Sequence, residues 1–195
     1  MRKFLSYSLI IMGICIILYP TVVDKYHIYQ QKELLEQFET LNLEGSESEE
    51  NTENTESTTA EKEVATVNCA IKIDKINLYQ AIIEGTTKSN LNVSVTTMSS
   101  SVKPGDIGNY VLAGHRSFTY GRDFNRLNEL EAGDEIKIMN KGKEFKYIIT
   151  DKFLVLPTQS EVALNNSEFA EITLITCDPM VEATHRLIVK GKLVE

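Results

Sequence analysis

Cysteine and histidine are scarce in this 195-residue chain, with three of each. They lack the close spacing that tetrahedral zinc sites require, so no metal is expected. No glycine-rich stretch of the phosphate-cradling kind occurs, which removes nucleotide-binding loops from consideration. A basic patch is missing as well. The formal net charge is −8, but residues 44–63 carry eight glutamates against Lys62 alone. Residues 1–43 sum to zero and residues 65–195 to −1. Nucleic-acid binding depends on clustered Lys and Arg that displace counterions, so this near-neutral remainder argues against it. Hydrophobic residues make up 42% and charged residues 25% of the chain, the balance of a globular protein rather than a fibrous or wholly disordered one.

What the sequence does have begins at its N-terminus. Arg2 and Lys3 precede an uncharged run from Phe4 to Val23, rich in Ile and Leu. Twenty helical residues span roughly 30 Å, the thickness of a bilayer's hydrocarbon core. A cleaved signal peptide would have a shorter apolar region ending in small residues. This run instead exits through "LYPTVVDKY", and bulky Ile14 before Cys15 makes "MGIC" a poor lipidation site. An uncleaved anchor over residues 1–23 is expected, with the two basic residues holding the N-terminus on the cytoplasmic side.

Residues 24–43 contain strong helix formers, with Ile28, Leu34, Leu35, Phe38 and Leu41 as apolar positions. They predict a juxtamembrane helix in which His27 faces solvent. Residues 44–63 are acidic, low in complexity and free of aromatics, the composition of a disordered stalk. A domain on such a tether would sweep the volume above a membrane. From Val64 the texture changes to short β-like runs: "VNCAIKI", "LYQAIIEG", "NYVLAGHR", "EIKIMN", "EFKYIITDKFLVL", "EITLITC" and "RLIVKGKLV". Helical breaks are expected near Asn90–Val93 and Phe124–Leu130. The fold class is therefore all-β with short helices, an antiparallel barrel or sandwich over residues 64–195.

Within that domain Cys177 has an unusual position. A lone Cys in an apolar strand is ordinarily a small buried hydrophobe. Outside a cell, Cys69 and Cys177 would also be the only pair available for a disulfide. Yet "EITLITC" stops at Cys177, because Asp178-Pro179 cannot continue a paired strand. The thiol is thereby left at a strand's mouth. "NYVLAGHR" ends in the same way, at His115. In "HRLIVKGKLV", alternation puts Arg186, Ile188 and Lys190 on one face and His185, Leu187 and Val189 on the other. Acyl transfer by a thiol needs a thiolate, a proton-transfer group and a donor for the developing oxyanion. Cys177, His115 and Arg186 supply one of each. Arg116 is placed off-centre or on the rim, and His185 is turned away.

"LAGHR", then "TLITC", then an Arg on the following strand, all behind an N-terminal anchor, resembles the sortase family of Gram-positive bacteria. "TCDP" and the short run from Cys177 to "HRLIV" are most similar to class D, with a class A-like enzyme second. The resemblance implies an eight-stranded β-barrel with catalytic His115, Cys177 and Arg186. It also places Ala113, Thr176 and the loop before Cys177 along the groove for a sorting signal. It implies a membrane-anchored transpeptidase that cleaves an LPxTG-like signal on a surface protein and passes the acyl group to an amine of a lipid-linked peptidoglycan precursor. No cofactor is implied. The Asp-Pro-aromatic lid motif of pilin-polymerising members and the calcium-binding acidic residues of some class A enzymes are not matched. "LPTQS" at 156–160 reads as a strand end and turn. The rival readings are a secreted cysteine peptidase that passes the same acyl group to water, and a non-catalytic anchored domain that binds the wall.

Overall fold

A computed structural model of the protein describes residues 2–44, 67–98, 101–164 and 168–194. The acidic stalk expected over 44–63 lies, beyond Glu44, outside the described residues.

Eight strands form a closed barrel: β1 (Val67–Ile73), β2 (Leu78–Glu84), β3 (Val95–Thr97), β4 (Gly108–Ala113), β5 (Glu135–Asn140), β6 (Lys143–Val155), β7 (Ala170–Asp178) and β8 (His185–Leu193). Around the barrel they run β1-β2-β3-β4-β7-β8-β6-β5, and β5 closes onto β1. Alternating Ile, Leu, Val and Tyr on these strands makes one face of each strand apolar. Ile71, Ile73, Tyr110, Leu112, Ile136, Ile138, Tyr147, Ile149, Ile172, Leu174, Leu187 and Val189 meet in one interior cluster. Seven of the eight strands coincide closely with the apolar runs of the sequence. The three-residue β3 does not, being too short to show any alternation.

The pairing departs from the expected antiparallel pattern in two places. β2 and β3 are parallel, and so are β4 and β7. Parallel neighbours need a long connection between them. A helix, α2 (Lys88–Val93), provides it for β2–β3, and the β5–β6 hairpin lies within it for β4–β7. The register of the second pair sets Ala113 beside Ile175. The ends of β4 and β7 therefore emerge together.

The N-terminal helix α1 runs unbroken from Arg2 to Glu44, with Pro20 inside it. Its first part is long and apolar enough to cross a membrane, and among the described residues none of that apolar window is buried against the rest of the chain. The second part does not stand free. Phe38 is buried in a cluster with Val67, Ala70, Ala81 and Ile83, flanked by Leu34 and Leu35. Ala70 and Ala81 are direct partners across β1 and β2, and their small side chains let the helix approach the outer sheet surface. Gln31 donates to the buried Asp123 carboxylate at 2.8 Å, and Tyr79 donates to Glu39 at 3.1 Å. His27 is half-buried with its Nδ1 sequestered, contrary to the expectation that it faces solvent. The physical reason is the helical repeat. Val23, Asp24, His27, Gln31, Leu34, Leu35 and Phe38 recur every three or four residues, and that stripe is the one turned to the barrel.

Candidate active site

Cys177 is the penultimate residue of β7. Ile172, Leu174 and Thr176 point into the barrel, so alternation puts Ile175 and Cys177 on its outer surface. Cys177 is half-buried and a free thiol. Its direct partner across the antiparallel β7–β8 pair is Arg186. Opposed residues of such a pair project from the same face with Cβ atoms about 5 Å apart. Leu187 and Val189 lie in the interior cluster, which sends Arg186 outward beside the thiol. The guanidinium is held by backbone: its Nη1 donates to the carbonyls of Ala183 at 3.1 Å and His185 at 2.9 Å. His185 is opposite Asp178 and places its Nδ1 3.0 Å from the Thr184 hydroxyl.

His115 arrives from the neighbouring strand. Beyond Ala113 the β4–β7 ladder continues through Gly114, whose N–H donates to the Ile175 carbonyl at 3.1 Å. Continued by one further residue, that register sets His115 beside Cys177. The Thr176 hydroxyl donates to the Gly114 carbonyl at 2.9 Å. Only glycine fits at 114, because a Cβ there would meet the Phe124 ring at 2.8 Å. That ring is fully buried, and the Phe124 N–H donates to the His115 carbonyl at 3.0 Å. The backbone of His115 is thus pinned between the end of β7 and a core aromatic.

The site residues expected from the sequence fall into two groups. Cys177, Arg186 and Ala113 share the outer surface at one end of β4, β7 and β8, and the chain reaches His115 at that same end, one residue beyond Gly114. Thr176 does not join them: it is 2% exposed and points inward, opposite to Cys177. Its hydroxyl instead ties β7 to the Gly114 carbonyl. For Arg116, expected off-centre or on the rim, the rim placement does not hold. Its side chain is largely buried and forms an ion pair with Asp178. This pair was missed, although an Arg next to the His and an Asp next to the Cys are plain in the sequence. Their meeting follows only once β4 and β7 are known to be parallel neighbours. The disulfide alternative is likewise corrected: Cys69 and Cys177 are both free, and Cys69 belongs to the interior cluster.

Burial pushes the Cys69 thiol up to about 11, which makes it inert near neutrality. For His115, partial desolvation and, secondarily, the positive charge of Arg122 lower the imidazole from its ordinary 6.5. Among the described residues no three His, Cys, Asp or Glu side chains converge on a common point. The β6–β7 connection covers the far end of the β4/β7 surface, where Asn109 donates to the carbonyls of Val162 at 3.1 Å and Leu164 at 3.3 Å. Ala113 and Cys177 lie at the opposite end of these strands.

A "Sortase domain" family profile matches residues 71–194. The chain belongs to the sortase family. It is 26% identical to Sortase A of Listeria monocytogenes over 205 aligned positions, covering 99% of this chain and 91% of that one. It is 32% identical to Sortase D of Bacillus subtilis over 135 positions, covering 68% and 66%. Among solved structures, a Clostridium perfringens Sortase D5 transpeptidase superposes with a TM-score of 0.63 at 27% identity, covering 87% of this chain and 98% of that one. The protein is a cysteine transpeptidase of cell-wall sorting, and its apolar N-terminal helix fits a single-pass membrane anchor. Sortases act on LPxTG-type signals in the Gram-positive cell wall.

Proposed function

We propose that Cys177 is the nucleophile, His115 the proton carrier and Arg186 the oxyanion donor of this sortase. The observation that carries the reading is the pairing of Cys177 with Arg186 across β7–β8, at the strand end to which Gly114, the residue before His115, is tied. A surface protein presents its LPxTG-like signal along Ala113 and the end of β7. The Cys177 thiolate adds to the threonine carbonyl, and the oxygen that gains charge accepts hydrogen bonds from Arg186. Collapse expels the glycine amine, which takes a proton from His115, and a thioester remains on Cys177. An amine of a lipid-linked peptidoglycan precursor then adds to the thioester and gives up its proton to His115. The thiolate leaves and the new amide forms. Because the acyl group stays bound throughout, the cleaved peptide bond is exchanged for another without ATP.

The positive residues Arg2 and Lys3 favour an N-terminus held in the cytoplasm, which puts the barrel outside the cell with its clients. The full chain incubated with LPxTG-type peptides, with and without added amines, tests the whole reading. Products joined to the amine are expected. Free acid formed equally fast whether or not an amine is present would make the protein a hydrolase instead.

A further inference from the structure

We infer that Phe118 and Tyr120, on the loop that follows His115, dip into the lipid interface and hold the active site against the membrane surface. Asp24 is the first charged residue after the apolar run that ends at Val23. In a spanning helix it marks the edge of the hydrocarbon core. Two barrel residues grasp it: the Thr119 hydroxyl donates to its Oδ2 at 3.2 Å, and Arg122 Nη1 lies 3.4 Å from its Oδ1. The loop carrying Thr119 is therefore at the level where the span ends. Farther contacts with the barrel, through Gln31, Phe38 and Glu39, come progressively later along α1. At about 1.5 Å per residue, Glu39 is roughly 22 Å beyond Asp24. The barrel thus rises away from the membrane, with the loop at 117–122 and the adjoining end of α2, whose Asn92 carbonyl accepts from Arg122 at 3.0 Å, at its near end.

Phe118 and Tyr120 flank Thr119 and are 77% and 75% exposed. Tyr120 borders a recess shared with Ile28, Gln31 and Lys32 of α1, so one edge of its ring meets the helix just beyond Asp24 while most of it stays open. Consecutive Cα atoms are about 3.8 Å apart, so both residues start within the interfacial layer, whose depth is roughly 5–8 Å on each side. Aromatic side chains concentrate in that layer, where an apolar ring meets headgroups. Arg126, itself paired with the Glu129 carboxylate, sits over the Tyr120 ring, 4.7 Å from its centroid, and steadies the loop. The loop is anchored to the site on its other side, through the Arg116–Asp178 ion pair. A site held in this way would meet an amine acceptor attached to a lipid without having to search the volume above it.

This inference rests on α1 being a membrane span, and the test separates the two. The chain contains no tryptophan, so each single substitution introduces the only such fluorophore. Full-length Phe118→Trp, Tyr19→Trp and Tyr79→Trp variants would be placed in vesicles of phosphatidylglycerol and phosphatidylethanolamine carrying brominated chains. Emission of the Phe118→Trp variant is expected to be quenched by bromine near the glycerol end of the chains, and less by bromine near the methyl end. The Tyr79→Trp variant should be unaffected. If Tyr19→Trp is quenched and Phe118→Trp is not, the anchor stands and the inference falls. If Phe118→Trp ignores lipid but responds to an LPxTG-type peptide, the loop is a substrate contact, which also overturns it. If Tyr19→Trp escapes quenching, the span itself is wrong and the inference fails with it.

Discussion

Arg116 and Asp178 form an ion pair that joins the residue after His115 to the residue after Cys177. Each lies one step along the chain from a proposed reacting group, so the pair fixes the spacing between them. Both side chains are well covered, and a partner left behind alone would be an unpaired, half-buried charge. Arg116→Gln should therefore lower kcat by ten-fold or more while leaving KM for the peptide nearly unchanged. The exchanged double variant Arg116→Asp/Asp178→Arg should recover part of the loss. Steady-state kinetics on the wild type and the two variants checks this, and equal effects on kcat and KM would assign the pair to general stability instead.

The two His-Arg dipeptides make opposite predictions. His185→Gln should retain most activity, because strand alternation sends residue 185 to the face away from Cys177 and Arg186. His115→Gln should reduce acylation to a trace. Arg186→Ala should lose roughly 10²–10³ in kcat, the usual effect of removing one oxyanion donor. Single-turnover acylation rates separate these outcomes.

Arg122 provides a pH test. Its charge helps to hold the His115 pKa below 6.5, after the larger effect of desolvation. Arg122→Gln should therefore move the His115 titration upward, read from its ring proton signals by NMR. The sign carries into stability. A His whose folded pKa is lowered binds fewer protons than the unfolded chain, so it costs stability as pH falls below 6.5. The variant should show a shallower acid loss over that window.

Asp123 titrates with the opposite sense. Burial raises its carboxyl to about 6, against the lowering influences of Arg122, Gln31 and Gln80. The folded state therefore holds its proton more tightly, and stability falls as pH rises from 3.8 through about 6. Asp123→Asn should remove that slope in denaturant titrations at several pH values. The backbone there has φ of +48°, a conformation Asn tolerates well, so the substitution introduces little strain.

Much of this architecture was legible beforehand because the relevant signals are local. β-branched alternation marked seven strands, and the scarcity of Cys and His drew attention to Cys177, His115 and Arg186. What escaped is non-local. The parallel β4–β7 pairing brings Arg116 to Asp178, and nothing in either segment alone specifies its neighbour. The docking of α1 escaped for a related reason. Its barrel-facing stripe mixes His27, Gln31 and Asp24 with Leu34, Leu35 and Phe38, and so does not read as a buried face. The acidic segment that follows suggested a free tether, whereas the helix before it is clasped along the barrel wall.

The central claim is that Cys177 carries the acyl group between its two partners. Intact-protein mass spectrometry of the full chain, quenched in acid soon after an LPxTG-type peptide is added without amine, tests it most directly. The account predicts an adduct equal to the peptide less its C-terminal glycine portion, mapped to Cys177 and discharged by a later amine. An adduct on Cys69, or normal turnover by the Cys177→Ala variant, would contradict it.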